Sequence, residues 1–152
     1  MHLKGKKIVV VGLARTGVAV AKFASERGAI VTVTDMKTKS ELHEAVKQLV
    51  PYRKIKYELG RHQIKTFLAS DLIVVSPGVP LNIEPLVEAK NKNKEIISEL
   101  EFACRFIRIP MIAITGTNGK TTTTLMTGQM FKNAGKNAFV GGNVGNALTN
   151  LL

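Results

Sequence analysis

The sequence predicts an α/β fold with a doubly wound parallel sheet, and three observations favour it. Short apolar runs rich in β-branched residues alternate along the chain with segments of helical periodicity. Such runs are typical of strands buried on both faces, and parallel strands need helices as crossover connections. Glycine-containing loops follow two of the apolar runs. The 152 residues suffice for one domain, or for one domain and part of a second.

Composition and charge narrow the class of protein. With 45% hydrophobic residues the chain can bury a core, which excludes a disordered protein. A formal net charge of +11 at pH 7 favours anionic ligands: nucleotide phosphates, nucleic acid or acidic partners. The single cysteine, Cys104, cannot form an internal disulfide, which fits a reducing cytoplasm, and the three histidines are too scattered for a metal site. No run approaches the roughly 18 apolar residues of a membrane span.

The sequence of the first part of the chain predicts alternating strands and helices. Residues 8–12 form a short apolar run that predicts a buried strand. Residues 16–27 carry apolar side chains at helical spacing, and Gly28 is well placed to end that helix. The elements predicted after it are a strand at 30–34, a helix at 41–49 that stops before Pro51, a strand at 54–58, a short helix after Gly60, a strand at 72–75, a helix at 84–92 and a strand at 95–97.

A second unit is predicted to begin near the middle of the chain, so that residues 1–98 form the first domain and residues 99–152 the beginning of the second. Ser98 can cap a helix at 99–107, with Glu101 completing a capping box. Further along, the pattern predicts a strand at 111–115, a glycine loop, a helix at 120–134 and a strand at 137–140. These few elements cannot bury their own sheet faces, so we expect a truncated chain.

The first phosphate-loop candidate is Gly12-Leu-Ala-Arg-Thr-Gly17, between the first strand and the first helix. It is similar to the Rossmann dinucleotide fingerprint, except that Ala14 replaces the second glycine. Asp35 ends the second strand, where such folds place an acidic residue against a ribose hydroxyl or a base. Close packing would also explain the two glycines, and a helix cap or turn would explain Asp35. Taken alone, this loop favours a NAD-binding oxidoreductase or sensor domain, although the methyl group of Ala14 weakens that interpretation.

The sharper signal is Ile114-Thr-Gly-Thr-Asn-Gly-Lys-Thr121, between a predicted strand and a helix. Backbone N–H groups and the helix dipole at such a junction can hold phosphate. It is a variant P-loop, because Ile114 stands where the strict pattern has its first glycine. Lys120 would pair with the β and γ phosphates of ATP, and Thr121 would bind Mg²⁺. The second unit is therefore expected to be the start of a P-loop α/β ATPase domain; a glycine-rich turn with an incidental surface lysine is the alternative.

A basic module without enzymatic activity, which binds polyanions, is a further alternative. It accounts for the charge but for neither glycine loop. Phe and Tyr are scarce and are not interleaved with the lysines, so the sequence does not favour a nucleic-acid surface.

The two loops, in this order and about a hundred residues apart, resemble those of the Mur ligases of peptidoglycan synthesis. The resemblance covers the whole chain, and the further motifs that carry it are Ser76-Pro-Gly78, Glu99-Leu-Glu101 and Gly141-Gly-Asn143. Together they look most like the family member that adds D-glutamate. The resemblance implies a first domain that holds the UDP part of UDP-N-acetylmuramoyl-L-alanine and a central domain that binds ATP. The first loop would then serve UDP and not NAD.

The resemblance also implies the site residues, position by position. Those at the UDP moiety are Arg15, Thr16, Asp35, Met36, Lys37, Ser76 and Asn143. Those of the ATP loop are Gly116, Thr117, Asn118, Gly119, Lys120, Thr121 and Thr122. Within the second set, Lys120 is the catalytic residue and Thr121 a magnesium ligand.

The implied reaction phosphorylates the substrate carboxylate with ATP and Mg²⁺, and the amine of D-glutamate then attacks the acyl phosphate to leave an amide. Magnesium and Lys120 would stabilise the charge on the transferred phosphoryl group. The rest of the family's equipment, including the domain that receives D-glutamate, would lie beyond Leu152. This chain is therefore expected to be an inactive fragment of a cytoplasmic ligase.

Overall fold

Five parallel strands form the sheet of this protein. The computed structural model describes residues 1–142 and 146–152. The strands are β1 (Lys7–Val11), β2 (Ile30–Asp35), β3 (Lys56–Leu59), β4 (Leu72–Val75) and β5 (Ile96–Ser98). Their order across the sheet is β3-β2-β1-β4-β5, and every neighbouring pair is parallel. The predicted doubly wound α/β fold of Rossmann type is confirmed, and the strand ends agree with prediction to within two residues.

Helices follow the strands as the sequence predicts. In the described part of the chain, the α-helices are α1 (Arg15–Glu26), α2 (His43–Leu49), α3 (Ile64–Leu68), α4 (Glu84–Asn91), α5 (Glu99–Cys104) and α6 (Lys120–Asn133), and a 3₁₀-helix covers Leu148–Leu151. None of these helices is both long and apolar enough to cross a membrane.

The sheet is buried on both faces by two apolar clusters. In β1, Ile8 and Val10 belong to the cluster that α1, α2 and α5 cover, whereas Val9 and Val11 belong to the cluster that α3 and α4 cover. All four residues are at most 2% exposed. Successive side chains of a strand point to opposite faces, so burial on both sides explains why this run is apolar throughout.

The direction of winding changes beside β1. The chain passes from β1 through α1 to β2 on one side, and β4 lies on the other side of β1. The loops after β1 and β4 therefore diverge and leave a crevice at the carboxyl ends of these strands. In open α/β sheets this crevice is the usual place for a ligand. The loop at residues 12–17 lies there.

Two strands that the sequence predicts in the second unit are absent from the structure. Residues 111–115 and 137–140 adopt no strand conformation, and the nearest pairing described is an isolated bridge between Gly141 and Asn146. Helix α6 agrees with prediction, but its apolar residues are largely exposed, Met130 by 63%. A strand needs a hydrogen-bonded neighbour, and neither run has one here. The prediction of these strands from apolar character was wrong, and the start of a P-loop ATPase domain stays a prediction.

Helix α5 packs on the same core as the sheet. Ser98 caps it, because its Oγ accepts a hydrogen bond from the N–H of Glu101 at 3.1 Å. The carboxylate of Glu101 pairs with Arg105 at 2.7 Å, so only one half of the predicted capping box is among the described hydrogen bonds. Phe102 is fully buried, with its ring 5.8 Å from that of Phe23 in α1. The helix is three residues shorter than predicted, and a domain boundary at residue 98 stays a prediction.

We expect the substitution Phe102→Ala to lower the free energy of unfolding by about 3–5 kcal/mol, because it leaves a cavity in the core. The matched control is Leu100→Ala in the same helix. Leu100 is 53% exposed, so its loss should cost about 0.5 kcal/mol or less. Urea unfolding followed by circular dichroism measures both variants. Equal stabilities would contradict the packing of α5 on the sheet.

Candidate functional site

The loop after β1 passes very close to helix α1. Gly12 has φ +89°, in the left-handed region, and a Cβ atom there would lie 2.8 Å from Cγ2 of Val79. A Cβ atom at Gly17, in the first turn of α1, would lie 1.9 Å from the carbonyl oxygen of Gly12. Neither position accepts a larger residue without movement of its surroundings. Close packing therefore explains both glycines, and it brings the amino end of α1 to the edge of the sheet.

Two side chains from neighbouring strands hold this loop. Asp35, at the end of β2, accepts hydrogen bonds from the backbone N–H groups of Leu13 at 2.7 Å and Lys37 at 2.9 Å, one on each carboxylate oxygen. Ser76, just after β4, is 4% exposed and donates its hydroxyl to the carbonyl of Gly12 at 2.9 Å. A carboxylate has about four lone-pair sites, so Asp35 keeps the capacity to accept a further hydrogen bond from a ligand hydroxyl.

The amino end of α1 is suited to an anion. Ala14 is the N-cap residue and supplies no side-chain cap, and the first turn contains no acidic residue. Arg15 and Thr16 are the first two helical residues; Arg15 is exposed and Thr16 half-buried. Backbone N–H groups at the start of a helix carry positive partial charge and lack partners within the helix. A phosphate or diphosphate group could accept hydrogen bonds from them.

A cleft of about 500 Å³ opens beside this end of α1. It lies between α1, α2 and the segment at residues 146–152. The residues that line it are Leu13, Ala14, Arg15, Val18, Ala19, Lys22, Glu44, Ala45, Gln48, Asn146, Ala147 and Asn150. Among the described residues predicted to bind the UDP moiety, Arg15 lines the cleft, and Asp35 and Ser76 support the loop beside it.

Sequence reasoning missed most of this cleft. Val18 and Lys22 follow Arg15 at spacings of three and seven residues, which places all three on one face of α1. That helical spacing is the signal that could have found them. Asn146 and Asn150 come from far along the chain, and no sequence signal places them beside α1.

A second polar cluster lies at the carboxyl ends of β2 and β3. Nδ1 of His62 lies 2.7 Å from Oγ1 of Thr34 in β2. Burial lowers the pKa of His62, and the carboxylates of Asp35 and Glu58 partly oppose that shift. Met36, which follows Asp35 in the chain and is predicted to lie near the uridine, is 63% exposed. In the sequence, His62 is identified only as one of three scattered histidines. Its pairing with Thr34 could not be found there, because the two residues are 28 positions apart.

The second glycine loop folds around its own lysine. The Nζ of Lys120 donates hydrogen bonds to the carbonyl oxygens of Gly116 and Thr117, the latter at 3.0 Å. Gly119 has φ +75°, and apart from Gly119 itself and its two chain neighbours no described residue has an atom within 4 Å of the position that its Cβ would take. It is the N-cap residue of α6, whose first turn contains no acidic residue. The open space, the helix start and the cationic side chain together fit a phosphate group.

The other residues of this loop are accessible. Asn118 precedes the N-cap residue, Thr121 and Thr122 lie in the first turn of α6, and all three are exposed. The hydrogen bonds described for this loop stay within it or within α6, as the one from Thr124 Oγ1 to the carbonyl of Lys120 at 2.7 Å does. The position of Asn143, predicted to reach the diphosphate, lies outside the described residues.

These features describe an α/β protein with a doubly wound parallel sheet, a glycine loop at the switch point of that sheet and a second glycine-lysine loop further along the chain. Residues 6–98 match the family model of the Mur ligase MurD-like N-terminal domain. Because the match covers more than half of the chain, the chain belongs to this family. The family resemblance that the two loops carry is thereby confirmed.

Relatives of known name agree with this assignment. Over all 152 residues, the chain is 60% identical to the UDP-N-acetylmuramoylalanine–D-glutamate ligase of Geotalea daltonii and 57% identical to that of Geotalea uraniireducens. It spans 33% of the length of each. Two solved structures are similar in fold. A pseudomurein peptide ligase type C from Methanothermus fervidus has a TM-score of 0.54 at 32% identity, over 86% of this chain and 27% of that one.

The second similar structure is the UDP-N-acetylmuramate-alanine ligase MurC of Thermotoga maritima. It has a TM-score of 0.55 at 25% identity, over 90% of this chain and 32% of that one. The fold of this chain is therefore similar to parts of two ligases that carry different names.

We expect protonation of His62 to destabilise the fold. Because burial lowers its pKa below the ordinary value of 6.5, the unfolded chain binds a proton at a pH where the folded chain does not. The free energy of unfolding should therefore fall as the pH decreases from about 7.5 to about 5.5. Glu41 and Asp71, whose pKa values are lowered from 4.5 and 3.8, titrate below this window.

Substitution separates the effect of His62 from that of the other histidines. His62→Gln should flatten the pH dependence of the free energy of unfolding, whereas His43→Gln, at a side chain that is 71% exposed, should change it less. Urea unfolding at each pH measures the three proteins. An identical slope in wild type and His62→Gln would contradict the burial of this imidazole.

Proposed function

We propose that this chain is the N-terminal part of an ATP-dependent ligase of peptidoglycan precursor synthesis, which adds D-glutamate to UDP-N-acetylmuramoyl-L-alanine. The observation that carries the proposal is the 60% identity, along the whole chain, to a relative of that name. The two glycine loops support it with a place for each of two nucleotides. The free thiol of Cys104 is in keeping with a cytoplasmic protein.

The diphosphate of the substrate is assigned to the amino end of α1. The helix start offers backbone N–H groups without a side-chain cap, and Arg15 lines the adjoining cleft. Gly17 allows the loop to approach the helix this closely. The net charge of +11 attracts the anionic ligand to the protein surface. Thr16 in the same turn and Asn143 complete the proposed diphosphate contacts.

The uridine is assigned to the carboxyl ends of β2 and β4. Asp35 retains acceptor capacity for a ribose hydroxyl or the base, because each oxygen receives one described hydrogen bond. Met36 and Lys37 follow it on the exposed turn. Ser76 is committed to the carbonyl of Gly12, so its proposed role is to hold the loop and to offer a hydroxyl oxygen as an acceptor.

The ATP phosphates are assigned to the second loop. Gly119 provides open space at the start of α6, and the ammonium group of Lys120 lies on the loop itself. A phosphate would replace the two backbone carbonyls as the partner of Lys120 and would accept hydrogen bonds from the N–H groups of Thr121 and Thr122. The exposed hydroxyl of Thr121 is the proposed protein ligand of Mg²⁺.

In the proposed reaction, the carboxylate of the substrate takes the γ-phosphoryl group of ATP and ADP leaves. The amine of D-glutamate then attacks the resulting acyl phosphate, which forms the new amide and releases inorganic phosphate and a proton. ATP with Mg²⁺, when bound, supplies the phosphoryl group. The role of this chain in the reaction is to position the reactants. The first loop anchors the UDP end of the substrate, and Lys120 stabilises negative charge on the phosphate oxygens. Since the relatives are about three times as long, we assign D-glutamate recognition to the part of them that this chain does not match.

Calorimetric titration with UDP-N-acetylmuramoyl-L-alanine and, separately, with NAD tests the first loop. We expect saturable binding of the UDP-sugar at low and moderate salt, no heat with NAD, and a roughly tenfold loss of affinity in Asp35→Ala. The matched control is Asp71→Ala. Asp71 also accepts a backbone N–H group, that of Lys7 at 2.8 Å, but it does so at the opposite edge of the sheet. Its removal should leave UDP-sugar affinity unchanged.

The other results would point to the alternative functions. Binding of NAD without the UDP-sugar would favour the NAD-binding oxidoreductase or sensor domain. Affinity that falls steeply with salt and does not distinguish among nucleotides would favour the polyanion-binding module. Either result would overturn the proposed function.

Titration with ATP and Mg²⁺ tests the second loop. We expect Lys120→Ala to lower ATP affinity roughly tenfold or more, because a charged hydrogen-bond donor is lost. Lys132→Ala, in the last turn of the same helix, removes an equal charge away from the loop and should leave the affinity near that of the wild type. Equal affinities of the two variants would contradict the assignment of ATP to this loop.

A further inference from the structure

One buried carboxylate ties the far end of the described chain to the first helix after the sheet. Glu99, the first residue of α5, is 3% exposed. Its Oε1 accepts hydrogen bonds from the backbone N–H of Thr149 at 2.8 Å and from the Oγ1 of Thr149 at 2.5 Å. Thr149 is itself 3% exposed, and the two residues are 50 positions apart in the chain. A carboxylate is costly to bury unless such donors satisfy it.

Thr149 lies within one wall of the cleft beside α1. This wall segment comprises residues 146–152; Asn146, Ala147 and Asn150 line the cleft. The 3₁₀-helix of the segment contacts both α1 and α5, and Leu152 packs against the core of the sheet. The carboxylate of Glu99 thus binds the wall segment at Thr149, between the cleft-lining residues Ala147 and Asn150.

We propose that Glu99 is a positioning residue for ligand binding: by holding Thr149, it fixes the wall segment against α1 and shapes the cleft for the sugar and diphosphate of the UDP-sugar. The inference rests on the proposed function, which places the diphosphate at the same end of α1. Glu99 acts through the wall segment and is not assigned a contact with the ligand.

Glu101, the other acidic residue in the first turn of α5, pairs with a residue close to it in the chain. Glu101 faces Arg105 with its oxygen 2.7 Å from the guanidinium. It belongs to the exposed side of α5, whereas Glu99 is turned toward the wall segment. Both residues sit at the positive end of the same helix, so removal of either costs a similar favourable interaction with the helix dipole. The contact with Thr149 distinguishes Glu99, which makes Glu101 a matched control.

Calorimetric titration of this chain with two ligands tests the inference. UDP-N-acetylmuramoyl-L-alanine would reach the cleft, whereas uridine monophosphate would occupy mainly the uridine side at the end of β2. We expect Glu99→Ala to lower affinity for the UDP-sugar roughly tenfold and to leave affinity for uridine monophosphate within about twofold. Glu99→Gln, whose amide oxygen still accepts both hydrogen bonds, should restore most of the UDP-sugar affinity. Glu101→Ala should match the wild type for both ligands.

A second variant covers the case in which Glu99→Ala does not fold. Thr149→Val removes the hydroxyl donor but keeps the backbone N–H and the shape of the side chain, so we expect a smaller loss, about threefold, for the UDP-sugar alone. Hydrogen exchange of the amides in the wall segment should accelerate in Thr149→Val and stay unchanged in Glu101→Ala.

The outcomes separate this inference from the proposed function. If the wild type binds the UDP-sugar and neither Glu99→Ala nor Thr149→Val weakens it, the positioning role is wrong while the proposed function stands. Equal losses for both ligands would show a general structural effect and would also overturn the positioning role. If the wild type binds neither uridine nucleotide, the proposed function fails, and the inference that rests on it fails with it.

Discussion

The site depends on one constraint: a single backbone loop is held at the centre of the sheet by a side chain from each neighbouring strand. Asp35 from β2 holds the N–H of Leu13, and Ser76 after β4 holds the carbonyl of Gly12. Because β1 lies between β2 and β4, both supports reach the loop from opposite sides. Gly17 then lets α1 begin against this fixed loop. The N–H groups at the start of α1 are therefore presented on rigid elements, which is what phosphate recognition requires.

The sequence could predict the parts of this protein that local patterns determine. The apolar run of β1 and the periodicity of α1 each arise from burial by neighbours that the same pattern also predicts. The runs at 111–115 and 137–140 are also largely apolar, but apolar character indicates only that a segment tends to be buried, not which strand would pair with it. Asp35 could be found from its position at the end of β2. His62 and the wall segment could not, because their contacts depend on the course of the intervening chain.

Charge has a different role in each loop. In the first loop, the anion would meet backbone N–H groups, and the surrounding lysines contribute a diffuse positive field. In the second loop, the positive charge belongs to one side chain, and two carbonyl groups of the loop already satisfy it. A phosphate at Lys120 must therefore exchange those neutral acceptors for its own charged oxygens. The hydrogen bonds to the carbonyl groups already have one ionised partner, the ammonium group; a phosphate oxygen adds an opposite charge, and this added Coulombic attraction favours the anion.

The wall segment connects the last part of the described chain to helices of the earlier part. The chain leaves the core of the sheet after α5, forms the second loop and α6, and returns at residues 146–152 to contact α1 and α5. The hydrogen bonds between Glu99 and Thr149 join the beginning and the end of this stretch of chain. Ordering of the returning segment shapes the cleft beside the first loop, because Asn146 and Asn150 line it. A change that moves this segment would thus reshape the cleft beside the first loop.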